Sequence, residues 1–278
     1  MVVRRPIWES FIRVLSYLHR FELWVPLLLY LALKLIILAL YVGTTGGPLV
    51  SMWQLLVEDG FHEALVHYPT HLLLTPVVLG RLDYFLDIFI HTYLQGVTIL
   101  LFAAAIQGQS LAYASAFKQA ARRYLPLIIL TIIVAIVIYA GLSVPGHLFP
   151  KGANRLFRLA GWGGATFVSL VIEALFLFAG PVILIEGKPV LTAIRRSFRM
   201  ARQDFTNTMV LVVVPFALTV PAVYLGFKNQ VLALRLSPEI LPQIQIFSEL
   251  SGFLSTLILI GGLTVVFYWR RIDEKKRP

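Results

Sequence analysis

The sequence predicts an all-α integral membrane protein, a bundle of six transmembrane helices with basic amphipathic helices between them. Three observations favour this class. Of the 278 residues, 58% are hydrophobic and only 14% are charged, and the mean hydropathy is +0.81. A soluble domain carries about a quarter charged residues, so the excess apolar surface must face lipid. Apolar runs of membrane-crossing length recur six times, and most basic residues lie between them.

The six predicted spans are runs of about 20 mostly apolar residues, the length that a helix needs to cross a bilayer. They form one transmembrane domain over residues 1–278, at 23–41, 82–106, 125–144, 165–185, 208–227 and 250–269. Between the first two spans, residues 43–80 are predicted to form a long external loop of short amphipathic helices. The run at 71–80, HLLLTPVVLG, is too short to span and is predicted to be interfacial or re-entrant.

A basic amphipathic helix precedes the first, third and fifth predicted spans. The closest local match sets AFKQAARRY at 116–124 against SFRMARQDF at 197–205. The unit of basic helix, span, external loop and span therefore occurs three times, which predicts an internal repeat. Apolar residues in each helix are spaced by three and four, as on one helical face. These faces are Phe11, Val14, Leu18 and Phe21; Ala114, Phe117, Ala121 and Tyr124; and Ile194, Phe198, Ala201 and Phe205.

Cationic side chains on these helices are predicted to contact anionic lipid headgroups, with the aromatic residues below them in the bilayer. The alternative is an ordinary loop helix packed on the bundle. Glu186, at the edge of the fourth span, is predicted to stabilise the start of the next helix electrostatically or to pair with an arginine such as Arg195. The predicted headgroup contacts are Arg13, Arg20, Lys118, Arg122, Arg123, Arg195, Arg196, Arg199 and Arg202.

The distribution of basic residues predicts the orientation of the chain. Of the 24 Lys and Arg residues, 17 lie in the N-terminal segment, the two loops with basic helices and the C-terminal tail, whereas 6 lie in the other three loops. This bias predicts a multi-pass protein whose N and C termini are both cytoplasmic. A net charge of +10 would suggest nucleic acid in a soluble protein. Here the cations flank spans, so we expect membrane lipids rather than nucleic acid as partners.

Ionisable and polar side chains also lie inside the predicted spans. Four share one face of the second span, because they recur every fourth residue: Asp83, Asp87, His91 and Gln95. Lys34 on the first span and Glu173 on the fourth lie about 10–12 Å from the external ends of their spans. Charges at this depth pair with each other or line a wet cavity, so we predict that they converge. The predicted intramembrane cluster consists of Lys34, Asp87, His91, Gln95 and Glu173.

Three interpretations of this cluster are open. It is a structural network that holds the bundle together, a proton- or ion-coupled pathway, or a metal site. A metal would be held by Asp87, His91 and Glu173, since carboxylate and imidazole ligands suit zinc or iron. A wet cavity that reaches the cluster favours transport, whereas a dry and fully paired cluster favours a structural role.

No motif for catalysis or nucleotide binding is present. The chain has no P-loop, dinucleotide fingerprint, nucleophile elbow or HExxH motif, so we expect neither enzymatic activity nor a cofactor. It has no cysteine, which excludes disulfides and thiolate metal sites. Three histidines in the external loop, His62, His67 and His71, have no fixed ligand spacing, and we expect them to be solvated.

Several of these segments resemble a known bacterial family. The resemblance is carried by Gly108, the basic helix AFKQAARRYLP, the VPG that closes a span at 144–146, and GPVILIEGKPVLTAIRRSF at 180–198. Over roughly residues 85–225, the chain is similar to the membrane-domain family named after glycerophosphoryl diester phosphodiesterases and to its six-span relatives. The resemblance implies an all-helical protein of the bacterial cytoplasmic (inner) membrane. Phosphodiesterase activity belongs to a separate soluble domain in that family, and we do not expect it here.

Two functions from different classes follow from these patterns. The repeated basic helices and the lack of catalytic motifs favour a non-enzymatic polytopic membrane protein. It would engage anionic lipids or a membrane-protein partner, in envelope homeostasis or assembly. The alternative is a proton- or ion-coupled transporter or permease that uses Lys34, Asp87, His91 and Glu173. A third possibility, an intramembrane lipid enzyme, needs an open lateral groove that exposes a carboxylate–histidine pair.

Overall fold

The computed structural model describes residues 7–44, 48–57, 62–109, 112–148 and 155–275. Of these described residues 89% are helical, and none forms a strand. Within the described ranges, six helices are long and apolar enough to cross a membrane, which confirms the predicted all-α class and makes the chain a polytopic membrane protein. They are Val25–Gly43, Thr75–Ile106, Tyr124–Leu142, Gly163–Glu186, Phe205–Phe227 and Ile240–Ile272.

The helices follow one another with short connections. The first part of the chain contains α1 (Ile7–Leu18), a 3-10 turn (Phe21–Leu23), α2 (Val25–Gly43), α3 (Pro48–Gln54), α4 (His62–Val66), α5 (Thr70–Leu73), α6 (Thr75–Leu86), a π-helical segment (Asp87–His91) and α7 (Thr92–Ile106). The second part contains α8 (Tyr113–Arg122), α9 (Tyr124–Leu148), α10 (Arg155–Phe176), α11 (Ala179–Glu186), α12 (Val190–Gln203), α13 (Phe205–Phe227), α14 (Asn229–Arg235) and α15 (Ile240–Lys275).

These helices divide between two compact units. The first unit contains residues 1–24, 95–215 and 258–278, and the second contains residues 25–94 and 216–257. Within the first unit, α12 packs against α10 and α11, and α10 packs against α9. Within the second unit, α2 contacts the π-helical segment, and α5 contacts α6.

Two spans begin earlier than the hydropathy of the sequence predicts. The helix of the second starts at Thr75, so residues 75–80 continue that helix instead of forming a separate segment, and their interfacial position stays a prediction. Pro76 does not break this helix, because a proline in the first turn loses no intrahelical hydrogen bond. The sixth starts at Ile240 rather than at residue 250, since polar residues before Leu250 mask a helix that continues through them.

The fourth span is interrupted, and a side chain from α12 bridges the interruption. α10 ends at Phe176 and α11 begins at Ala179, which leaves backbone groups without their usual helical partners. The hydroxyl of Ser197 donates a hydrogen bond to the carbonyl of Leu175 at 2.6 Å and accepts one from the amide of Phe178 at 3.1 Å. Ser197 is fully buried, so no water replaces it. The break therefore depends on this one hydroxyl.

We expect Ser197→Ala to lower the free energy of unfolding by about 2 kcal/mol, because it leaves a buried amide and a buried carbonyl unsatisfied. The measurement is thermal unfolding of the purified protein in detergent. Ser169→Ala is the matched control, since the Ser169 hydroxyl bonds only to Ala165 O on its own helix, at 3.0 Å. An equal loss in the two variants would contradict the bridging role.

Two spans end in the same glycine turn before a basic helix. Gly108 follows α7 with φ +68°, and Gly187 follows α11 with φ +69°. These are the positive-φ glycines of the described residues, and an L residue is strained in this conformation. At Gly187 an added Cβ would also lie 2.8 Å from Nη2 of Arg123. The two turns add a structural parallel between the corresponding parts of the predicted repeat.

The basic helices α8 and α12 bury faces of small residues. In α8 the buried residues are Ala116 and Ala120, whereas Ala114 and Ala121 of the predicted face are exposed. In α12, Ile194 and Phe198 of the predicted apolar face are half-buried and Phe205 is 39% exposed, and contact of this face with lipid stays a prediction. The buried residues of α12 are Ala193, Ser197, Met200 and Ala201. Small side chains let a helix backbone approach its neighbours closely, so they take the inner face.

Helix α1 packs on the backbone of α15 within the first unit. Val14 is fully buried, and a Cβ added to Gly261 would lie 2.7 Å from Cγ1 of Val14. Ser10 is buried one turn earlier. Of the predicted apolar face, Phe21 lies outside the helix in the 3-10 turn and is 64% exposed. Arg4 and Lys151, which contributed to the charge bias, lie outside the described residues.

The described part of the external loop forms short helices around an aromatic core in the second unit. Trp53 and Tyr41 are buried there with ring centroids 5.5 Å apart, edge to face. His71 is 1% exposed, and its backbone carbonyl accepts a hydrogen bond from the Tyr41 hydroxyl at 2.6 Å. The expectation that His71 is solvated is therefore wrong, because α5 places it beneath Tyr68 and against Tyr41.

Candidate functional site

A polar cavity of about 390 Å³ lies inside the second unit. Its walls come from α2, from the helix made of α6 and the π segment, and from the first half of α15. This volume is typical of cavities that bind small ligands. The ionisable side chains that line it are Tyr30, Lys34, Asp83, Asp87, His91 and Glu249.

Helical periodicity places these groups on the cavity wall. Tyr30 and Lys34 are four residues apart on α2, so they share one face. The same spacing joins Asp83 to Asp87 on the second span and Gln245 to Glu249 on α15. Each wall therefore contributes a polar stripe from a helix whose other faces are apolar.

Lys34, on the wall formed by α2, contacts carboxylates on the other two walls. Its ammonium nitrogen lies 3.0 Å from Oδ1 of Asp83 and 2.6 Å from Oε2 of Glu249. Gln245 donates a hydrogen bond to the other oxygen of Glu249 at 2.6 Å. The Lys34 and Glu249 side chains are only 12% and 11% exposed, so this ion pair is well shielded from water. A single cation is thus shared between two carboxylates.

A second group forms around Asp87. The Tyr30 hydroxyl donates a hydrogen bond to Oδ1 of Asp87, and Nδ1 of His91 lies 3.5 Å from the same oxygen. The rings of Tyr30 and His91 stack with centroids 4.6 Å apart and an angle of 5° between their planes. Asp87 and His91 are the ends of the π segment, a form of helix that often marks functional sites.

Negative charge exceeds positive charge in the cavity. Among the described residues that line it are three carboxyl groups, from Asp83, Asp87 and Glu249, and one lysine, Lys34. Protonation of His91 would still leave one negative charge in excess. The Asp87 side chain is 51% exposed, so the unbalanced carboxylate is the accessible one. An additional cation or proton is therefore attracted to Asp87.

The structure brings three of the five predicted cluster residues to this cavity: Lys34, Asp87 and His91. Gln95 and Glu173 belong to the first unit, where each is half-buried. Gln95 makes a polar or ring contact of its own there. Convergence of Glu173 with the other residues stays a prediction.

Sequence reasoning missed Tyr30 and Glu249 and left Asp83 out of the cluster. The spacing between Tyr30 and Lys34 was available as a signal, because a residue one turn before an intramembrane lysine shares its face. Glu249 was outside the predicted sixth span. The pair Gln245 and Glu249, four residues apart before an apolar run, would have indicated a helix with one polar stripe.

Glu186 pairs with Arg196 in the first unit. Oε2 of Glu186 lies 2.9 Å from Nη1 of Arg196, with the geometry of an ion pair rather than of an aligned hydrogen bond. The Glu186 side chain is 8% exposed. The predicted pairing with an arginine of α12 is confirmed, but the partner is Arg196 rather than Arg195, which the helix turns outward.

The other predicted headgroup contacts have varied surroundings. The guanidinium of Arg13 lies 5.4 Å from the centroid of the Trp269 ring, and that of Arg20 lies 5.9 Å from Tyr17. The remaining cations of the set are exposed: Lys118, Arg122, Arg123, Arg195, Arg199 and Arg202. Contact of these side chains with lipid stays a prediction.

Metal binding has no support in the described ranges. They contain no group of three His, Asp or Glu side chains placed to hold a metal ion.

Outside the spans, the Tyr68 hydroxyl donates a hydrogen bond to Glu239, which lowers the pKa of that carboxyl and raises the pKa of the phenol. Both groups are at the surface, and neither lines the polar cavity.

Comparisons with protein-family models, with curated proteins and with solved structures give no match. The resemblance to the membrane-domain family named after glycerophosphoryl diester phosphodiesterases therefore stays a prediction.

Proposed function

We propose that the protein is a cation transporter in which a proton and a small cation compete for Asp87. The cavity of the second unit carries this proposal, since it lies among membrane-spanning helices and has more carboxylates than cations. Intramembrane acids that are accessible from a cavity typically serve in ion or proton pathways. The proposal takes up the transport alternative and locates it in one cavity.

Each side chain has a defined task in this mechanism. Lys34 neutralises Asp83 and Glu249 and holds α2 against α15. Asp87 is the group that exchanges its ligand, because it is the most exposed of the three carboxylates. His91, kept in place by stacking on Tyr30, stabilises the carboxylate form of Asp87 when no cation is bound.

Competition follows from charge. A proton on Asp87 removes the negative charge that attracts a cation, and a bound cation favours loss of that proton. One occupant therefore displaces the other, and movement of a cation in one direction is coupled to movement of a proton in the other. The chemistry requires no covalent step and no cofactor.

We expect Asp87→Asn to reduce proton–cation exchange at least tenfold, because asparagine keeps the shape but carries no charge. The assay uses proteoliposomes with an acidic interior and a fluorescent pH probe, to which Na⁺, K⁺ or tetramethylammonium is added. Glu63→Gln is the matched control, since it amidates an exposed acid on α4 of the same unit. Its exchange should equal that of the wild type.

Two results would overturn this function. One is a proton gradient that none of the three cations dissipates faster than in vesicles without protein. The other is exchange by Asp87→Asn at the wild-type rate.

We propose that the protein lies in the bacterial cytoplasmic membrane with both termini cytoplasmic, which is supported by the bias of Lys and Arg between loops.

A second candidate function is engagement of anionic lipid by the basic helices. It is favoured by α1, which buries Ser10 and Val14 while Trp8, Ile12 and Leu15 are 60%, 54% and 62% exposed. Apolar side chains that point away from the protein suit the interfacial layer of a bilayer. Surface cations on α12 would then lie among lipid phosphates.

Replacement of the three exposed arginines Arg195, Arg199 and Arg202 by glutamine should weaken the preference for anionic lipid. Each substitution removes roughly 1 kcal/mol of attraction between α12 and an anionic surface. The assay measures the enrichment of phosphatidylglycerol over phosphatidylcholine in the lipid shell of the reconstituted protein, and it compares the wild type with the triple variant. Arg196 is kept, since its ion pair with Glu186 would confound the result. An unchanged preference would exclude this role for α12.

A further inference from the structure

The first unit contains a second polar cavity, of about 350 Å³. It lies where three spans end. Gln107 follows directly on α7, Ile185 is next to the last residue of the fourth span, and Arg271 is next to the last residue of the sixth. The start of α8 closes one side. This cavity therefore lies at the depth of the lipid headgroups.

Its charge is opposite to that of the cavity in the second unit. Among the described residues that line it, Arg271 is a cation and none is a carboxylate. The other polar lining groups are the amides of Gln107, Gln109 and Gln119 and the hydroxyls of Ser115 and Tyr268. Ser115 and Gln119 already donate to the backbone carbonyls of Ala112 and Leu184. The positive charge of Arg271 therefore provides the main attraction, and it favours an anion with acceptor oxygens.

A hydrogen-bond chain orients one of these donors. Gln109 donates to Oε1 of Gln107 at 3.1 Å, and Gln107 donates to the hydroxyl oxygen of Tyr268. The Tyr268 oxygen is thus used as an acceptor, which directs its own proton elsewhere. Tyr268 is only 9% exposed, and Arg271 is three residues further along the same helix. The hydroxyl and the guanidinium therefore offer two donors to one cavity.

The remaining walls are apolar. Leu100, Leu101 and Ile185 belong to this apolar lining, and all three lie in membrane-length helices. A ligand that satisfies both parts has an anionic head and an apolar tail. Free phosphate or a soluble phosphate ester matches the polar half only.

We propose that this cavity binds the phosphate-bearing headgroup of an anionic membrane lipid, with the phosphate at Arg271 and Tyr268. The site is distinct from the exposed arginines of α12, because it encloses a single headgroup instead of attracting a surface. It does not depend on the transport function, which rests on the other unit. Failure of either proposal leaves the other intact.

The test titrates purified protein in detergent with short-chain phosphatidylglycerol and measures the temperature of unfolding. Parallel titrations use short-chain phosphatidylcholine, glycerol phosphate and inorganic phosphate. We expect the anionic lipid to stabilise the wild type, and Arg271→Gln to bind it at least tenfold more weakly. Arg235→Gln, which removes an exposed arginine on α14 of the other unit, should bind as the wild type does.

Tyr268→Phe provides a second variant if Arg271→Gln does not fold, since it removes one hydroxyl and keeps the buried ring. Loss of lipid-dependent stabilisation in Tyr268→Phe supports the site. Equal stabilisation by phosphatidylcholine would overturn the anionic preference. Equal stabilisation by glycerol phosphate would overturn the assignment to a lipid. Unchanged lipid binding in the two cavity variants would overturn the site itself.

Discussion

Lys34→Met should lower the free energy of unfolding by about 3–5 kcal/mol, since it leaves the carboxylates of Asp83 and Glu249 shielded and without their shared cation. For a chain of this size, such a loss lowers the unfolding temperature by roughly 10 °C. Methionine keeps much of the volume of the lysine stem, so the effect reports charge rather than packing. The measurement is thermal unfolding in detergent, followed by helical circular dichroism.

Two further variants separate this ion pair from general loss of a cation. Lys228→Met removes an exposed lysine of the same unit and should leave the unfolding temperature nearly unchanged. The double variant Lys34→Met with Glu249→Gln should recover part of the loss, because one uncompensated carboxylate is removed with the cation. With Glu249→Gln alone as the second single variant, the double-mutant cycle is expected to give a coupling energy of roughly 1–3 kcal/mol. Additive effects would show that Lys34 and Glu249 do not interact.

Arg270→Met should lower the free energy of unfolding by about 3 kcal/mol, the second largest effect we expect. In the first unit its guanidinium donates hydrogen bonds to Met200 O and to Thr208 Oγ1, the latter at 3.0 Å. It also lies 4.6 Å from the centroid of the Phe178 ring. The bond to Met200 O meets the C-terminal end of α12, where backbone carbonyls lack helical partners and the helix dipole favours a cation, whereas Thr208 lies in the first turn of α13.

Arg270→Lys is the matched variant for geometry. Lysine retains the charge but has no planar fork of donors, so it cannot contact two acceptors and stack on a ring at once. We expect it to recover less than half of the loss, as measured by thermal unfolding. A lysine variant as stable as the wild type would reduce the role of Arg270 to its charge alone.

Composition made the number of spans predictable, because hydropathy depends on the residues of a window and not on what they contact. The ends of the spans were harder to predict from the sequence. Pro76 sits in a first helical turn, where it is tolerated, and the polar residues before Leu250 face a cavity that only the folded chain contains. Both helices therefore extend beyond the apolar windows from which they were predicted.

The candidate cavity was predictable in part. Repetition at every fourth residue identified the face of Asp87 and His91, since this periodicity is a local property of a helix. The pairing of Lys34 with Glu249 was not accessible, because it joins residues more than 200 positions apart. The same holds for Ser197, whose hydroxyl supports a break in a helix two elements earlier. Long-range partners of this kind leave no periodic trace in the sequence.

The matched left-handed turns at Gly108 and Gly187 constrain how this chain diverges. A substitution at either position costs about 1 kcal/mol through backbone strain alone, whatever surrounds it. Neighbouring residues face no such barrier. If the two segments that follow these glycines descend from a duplicated segment, the glycines are where the copies should stay identical longest, while the lipid-facing residues around them drift apart.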